Sequence, residues 1–156
     1  MERVDHGVYI SPDFLEDRMF VLQSCSSRII FSHDTALYLH DLSDRDPLSY
    51  TVTVPTGYNT KNLNKEGLTV FSVKKELYEM RVSFASTPFG RVVRVYNVER
   101  TLCDMVRSRN RMDGALLPDA LKRYVHREHK NISLLMRYAK IFRVEKFFQQ
   151  YLEVLL

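Results

Sequence analysis

FSHDTALYLHDL, residues 31–42, is the stretch whose reading decides the rest. It carries two His-Asp pairs, His33-Asp34 and His40-Asp41, seven residues apart. These side chains hold metals and move protons, so the stretch is either a helix that does chemistry or one that packs. Its pattern favours packing. Ser32 fits an N-cap, and Asp34 falls in the first turn, where negative charge is favoured. Seven residues of helix rise about 10 Å, too far for two imidazoles to share one ion unless long side chains converge. Neighbours such as His33 and Asp34 point about 100° apart on a helix, so each pair splits between two faces. The spacing predicts a short buried strand at RIIF, residues 28–31, running into a helix over 33–42.

Working outward, VDHGVYIS (4–11) alternates like a strand, with no obvious partner before it. SPDF then opens a helix, with Ser11 as cap and Pro12 in the first turn. Further strands are expected near 50–55 (YTVTVP), 68–73 (LTVFSV), 81–87 (RVSFAST) and 91–96 (RVVRVY), the last two joined as a hairpin by PFG. The polar stretch 56–67 reads as a loop. From Asn97, a cap with Glu99 in the first turn behind it, the chain is helical. Apolar residues recur at three and four at Val98, Leu102, Met105 and Val106; at Leu117, Leu121, Tyr124 and Val125; at Ile132, Leu135, Met136 and Ala139; and at Val144, Phe147, Phe148, Tyr151, Leu152 and Leu155. Strands followed by helices predict an α+β fold: a small mixed sheet with a C-terminal group of about four helices.

With 45% hydrophobic and 27% charged residues in 156, the chain has the make-up of one soluble globular domain rather than a disordered segment. No apolar run nears the roughly 20 residues that span a bilayer, and the charged MERVDHGVYI start is unlike a signal peptide. Cys25 and Cys103 are isolated in apolar helical patterns, so both read as buried free thiols. The net charge of +4 is uneven. Residues 1–90 hold 9 Lys and Arg against 12 Asp and Glu, and residues 91–156 hold 14 against 7. Arg107, Arg109, Arg111, Lys122, Arg123, Arg127 and Lys130 form a cluster, a candidate surface for a nucleic acid or an acidic partner.

Motifs for catalysis are absent. HREH (126–129) sets His126 and His129 one turn apart, yet sits in a polar stretch that reads as a wet helix end. The five glycines form no phosphate loop. No Ser or Cys has a nucleophile motif around it, and the strands carry Thr, Val, Ser and Arg where a nuclease would carry carboxylates. No catalytic residue, cofactor or metal ligand is assigned.

Six segments together resemble one family: VDHGVYISPDFLEDRMFVLQ (4–23), IIFSHDTALYLHDLSDRDP (29–47), YTVTVPTGYNT (50–60), TPFGRVVRVYNVERTLCDMVRSRN (87–110), ALKRYV (120–125) and LMRYAKIFRVEKFFQQYLEVLL (135–156). They are similar to the AbiEi antitoxins of bacterial type IV, or abortive-infection, toxin–antitoxin systems. SHDTALYLHDL and VYNVERTLCDMVR are the most specific blocks. The resemblance implies a cytoplasmic, non-enzymatic protein, with an N-terminal winged helix-turn-helix that represses its own operon and a C-terminal antitoxin domain. That domain counteracts a nucleotidyltransferase-like toxin, without direct contact being assumed. On this likeness residues 1–11 are the remnant of a wing strand, with the recognition helix preceding residue 1, and 12–156 the antitoxin domain. The alternatives are a DNA-binding regulator of its own operon and a metal-dependent nuclease or nucleotidyltransferase. Glu99 and Arg100 read as a capped helix start, with a partner-facing surface pair as the second reading.

Overall fold

The β-branched run Thr51–Pro55 forms a strand buried along its whole length. Val52 and Val54 are wholly inaccessible and Thr51 and Thr53 nearly so, so this strand is covered on both of its faces. The computed structural model describes residues 2–3, 9–10 and 17–155. In chain order its elements are β1 (Glu2–Arg3), β2 (Tyr9–Ile10), α1 (Arg18–Cys25), β3 (Ile30–Phe31), α2 (His33–Leu39), β4 (Thr51–Pro55), α3 (Lys61–Lys65), β5 (Thr69–Val73), α4 (Lys75–Tyr78), β6 (Val82–Ser86), β7 (Val92–Tyr96), α5 (Val98–Arg107), a 3-10 turn (Arg109–Arg111), α6 (Leu116–Val125), α7 (Ile132–Ile141) and α8 (Glu145–Leu155). The class is α+β: a mixed sheet and a C-terminal group of four α-helices. The chain divides into two units, Met1–Phe31 with Ser49–Tyr96, and Ser32–Leu48 with Asn97–Leu156.

The first unit holds the sheet, in the order β5-β4-β3-β7-β6. β4 runs parallel to β5, with Val52 opposite Val70, and β3 parallel to β7, with Phe31 opposite Val95. The β3–β4 and β6–β7 pairs are antiparallel. Gly90, at φ +82, turns the β6–β7 hairpin as PFG predicts, closed by Thr87 N–H to the Arg91 carbonyl at 2.8 Å. Ile30, Tyr78 and Tyr96 pack with Val73 and Val82. The Tyr96 hydroxyl donates to the Tyr78 carbonyl, and the Tyr78 hydroxyl to the Arg28 carbonyl, both at 2.7 Å. From α1, the Gln23 amide donates to the carbonyls of Ile29 and Arg94 and accepts from the Arg94 N–H. Buried amides of this kind substitute for ladder bonds that a short strand cannot supply.

Four local expectations change. The 56–67 stretch contains α3, which is apolar only at buried Leu63 and so gives no periodic signal. The α4 turn was not expected at all. The described helix α1 starts after Asp17, whose carboxylate accepts from the Phe20 N–H; Ser11 and Pro12 lie outside the described residues. The strand at Tyr9–Ile10 is not partnerless, since it pairs antiparallel with Glu2–Arg3. Residues 4–8 of that expected strand also lie outside the described set.

The second unit is helical. α5 is buried on every side from Glu99 to Val106, not on the single face that its periodicity suggested. It packs with α2, α6 and α7, and α7 packs with α8. Asn97 caps it as expected, accepting from the Arg100 N–H at 2.9 Å. Cys103 is buried within it, whereas Cys25 at the end of α1 is only half-buried; both are free thiols. Burial pushes the Cys103 thiol far up, which keeps it protonated and inert.

Candidate functional site

The two His-Asp pairs start and stop α2. His33 is its first residue, buried, and held at φ +55, a left-handed conformation that costs a residue with a side chain about 1 kcal/mol or more. Its two ring nitrogens lie 2.8 Å from Ser32 Oγ and 3.2 Å from Ser108 Oγ. The ring thereby joins the start of α2 to the end of α5. Burial, then the cations Arg100, Arg111 and Arg107, lower the His33 pKa to about 3, so the ring is neutral at physiological pH. Ser32 occupies the N-cap position without a side-chain capping bond, because its hydroxyl is turned to His33. Asp34 takes over, accepting from the Thr35 N–H at 2.9 Å. At the other end His40 is the C-cap, and Asp41, at φ +61, occupies the position glycine usually fills. Leu42 N–H to the Leu37 carbonyl and Asp41 N–H to the Tyr38 carbonyl complete a Schellman stop. The helix therefore ends at Leu39, short of the expected 42.

Glu99 and Arg100 are not surface groups. Arg100 is fully buried, its Nε 3.2 Å from Asp104 and its guanidinium 5.0 Å from the Phe142 ring. Burial raises the Asp104 carboxyl, and Arg100 opposes that rise. Glu99 accepts from the Tyr124 hydroxyl at 2.8 Å, and that oxygen accepts from the Asn131 N–H. Asn131 in turn caps α7 through the Leu134 N–H. Burial drives the Tyr124 phenol well up, so it stays a donor. The chain of bonds ties α5, α6 and α7 together inside the unit. Sequence could not separate the two readings of the NVER block, because a capped helix start looks alike whether its next turn is buried or wet.

The seven basic residues singled out by local density have different fates. Arg123 grips both oxygens of Asp44, at 2.7 and 3.1 Å, and Arg127 donates to the His40 carbonyl at the end of α2. Both are half-buried and anchor the 40–44 stretch. Arg107 lies over Phe142, while Arg109 donates to the Val106 carbonyl and lies over Phe147. Arg107, Arg109, Arg111, Lys122 and Lys130 are exposed. The structure brings Arg109 together with three residues that the run had missed. Arg109, Lys140, Arg143 and Lys146 line a cleft of about 330 Å³ floored by Val106 and Phe147, with Glu145 its one carboxylate. Lys122 lines a second groove, of about 400 Å³, with Phe147, Gln150, Tyr151 and Val154. A three-residue rhythm, Arg137, Lys140, Arg143 and Lys146, was the available signal.

The chain matches no known family model and no curated protein. The candidate site therefore rests on geometry. Among the described residues no three His, Cys, Asp or Glu side chains cluster as metal ligands do, and no helix is long and apolar enough to cross a membrane. His126, at the end of α6, and His129 are both exposed.

Proposed function

We propose that the chain is an AbiEi-type antitoxin domain of a bacterial type IV toxin–antitoxin system, acting in the cytoplasm against a nucleotidyltransferase-like toxin and performing no catalysis itself. The resemblance carried by SHDTALYLHDL and VYNVERTLCDMVR supports this reading. One observation accompanies the likeness: β3, just before the first block, pairs in parallel with β7, which runs into the second, and the helices of the blocks, α2 and α5, pack together. Exposed Arg109, Lys122 and Lys130 are the surface through which protection acts in this reading.

The test is growth rescue. Cells expressing the nucleotidyltransferase-like toxin encoded beside this chain should recover when the chain is supplied. Arg109, Lys122 and Lys130 reversed together to Glu should leave the circular dichroism unchanged and weaken rescue. Arg123 and Arg127 stay untouched because they hold the 40–44 stretch. Failure of the wild-type chain to rescue would sink the proposal; full rescue by the folded variant would remove the surface from it. A second reading, regulation of its own operon through DNA, is favoured by the same exposed cations, and a salt-dependent gel shift on the upstream DNA distinguishes it.

A further inference from the structure

Two of the cations around α8, Arg143 and Lys146, are placed where folding alone would not put them. Arg143 sits at φ +60 in the stop that ends α7, with Val144 N–H on the Ala139 carbonyl and Arg143 N–H on the Lys140 carbonyl. Glycine fills that position without strain. Lys146 stands in the first turn of α8, where the helix dipole disfavours positive charge. Lys140, Arg143 and Lys146 are exposed, and none makes an ion pair among the described residues. With Arg109 they line one cleft, in which Glu145 is the single carboxylate against four cations. The size of the cleft is at the lower end of small-ligand sites.

Beside it lies an aromatic stack. Arg109 covers Phe147 at 5.5 Å, and Phe147 stacks on Tyr151 at 5.5 Å with the rings 19° from parallel. Phe147 lines both the cationic cleft and the apolar groove that continues past half-buried Tyr151 to exposed Val154. Cations flanked by ring faces match a ligand that carries a phosphate and a flat apolar group together. An acidic peptide would satisfy the charges but bring no planar partner for the rings.

We infer that this surface binds a nucleotide unit, free or within a single strand, with the phosphate on Arg109, Lys140, Arg143 and Lys146 and the base against the Phe147–Tyr151 stack. The site stands on its own geometry and does not depend on the antitoxin reading. Single strands suit it better than duplex, because paired bases cannot reach the rings.

Fluorescence anisotropy of the whole chain with a labelled single-stranded oligonucleotide of about ten nucleotides tests it. Binding should fall with salt, at a log–log slope of about −0.7 for each phosphate neutralised. Adenosine monophosphate in excess should compete, which marks a free nucleotide as an acceptable source; competition only by the oligonucleotide marks the strand, and both outcomes support the site. Lys140, Arg143 and Lys146 reversed to Glu should weaken binding more than tenfold at unchanged circular dichroism. Lys146→Gln alone is the milder variant should the triple fail to fold, and should still weaken binding. Tyr151→Ala should weaken it about tenfold, the size of one lost base stack. Unchanged affinity in a folded charge variant overturns the inference. So does a preference for duplex, or inorganic polyphosphate competing as well as the oligonucleotide while Tyr151→Ala has no effect.

Discussion

α5 and α8 open and close the same run of helices and use charge in opposite ways. In α5 three charged side chains are inside: Arg100 meets Asp104, and Glu99 meets Tyr124. Around α8 they are outside, and Lys140, Arg143 and Lys146 meet solvent. Buried charges must be paired, because removing one partner strands the other in low dielectric. Surface charges need no partner and contribute little to folding. The charges that hold this fold are therefore not the charges available to a ligand, and counting basic residues along the sequence mixes the two.

The sharpest way to break the contrast is Arg100→Ala. Leaving Asp104 buried without its guanidinium should cost about 3–5 kcal/mol, read as a fall in the urea midpoint. An unchanged midpoint would mean that α5 does not rely on its internal charges. Leu102→Ala, at a fully buried neighbour, should cost about 2–5 kcal/mol, and Phe148→Ala, the buried anchor of α8, about 3–5.

The next test is acid. His33 has a folded pKa of about 3 against 6.5 unfolded. Below pH 6.5 the unfolded chain takes up the proton and the folded chain does not. The contribution is full above pH 6.5 and is lost as pH falls towards 3. Between pH 7 and 4 the loss from this one ring should be on the order of 3 kcal/mol. His33→Gln should flatten that part of the stability profile. A profile that is the same in both proteins would show the ring to be solvated.

Smaller still is Tyr124→Phe. It removes the hydroxyl that serves Glu99 and Asn131, and should cost about 1–3 kcal/mol with the fold retained. At the far end, Lys146→Glu should move stability by no more than about 0.5 kcal/mol. A large loss there would place α8's charges in the same class as α5's and erase the comparison.

Much of the sheet was legible because its strands announce themselves by alternation and punctuation. TVTVP, RVVRVY and the PFG turn each carry the period or the residue their geometry requires, and Asn97 is a cap by chemistry alone. The α3 helix was hidden because it has one apolar residue and solvent elsewhere. The all-round burial of α5 was hidden for the opposite reason: its Glu, Arg and Asp look like an exposed face until their buried partners are known. The cleft residues were missed because they converge from α7, α8 and the turn after α5, whereas local density points only along the chain. His33 is buried between two serine hydroxyls, and its left-handed backbone leaves no trace in sequence.

The second unit is discontinuous, with α2 drawn from residues 32–48 and its neighbour α5 from beyond residue 97. On the ribosome this separation becomes a delay. At about 5–20 residues per second, α5 is completed roughly 3–14 seconds after α2. Ala36, Leu37 and Leu42, all inaccessible in the finished protein, have no α5 to bury them during that interval. A chaperone that reads short apolar segments should find its binding window on the nascent chain there, and a stalled chain ending before Asn97 should be the most readily degraded.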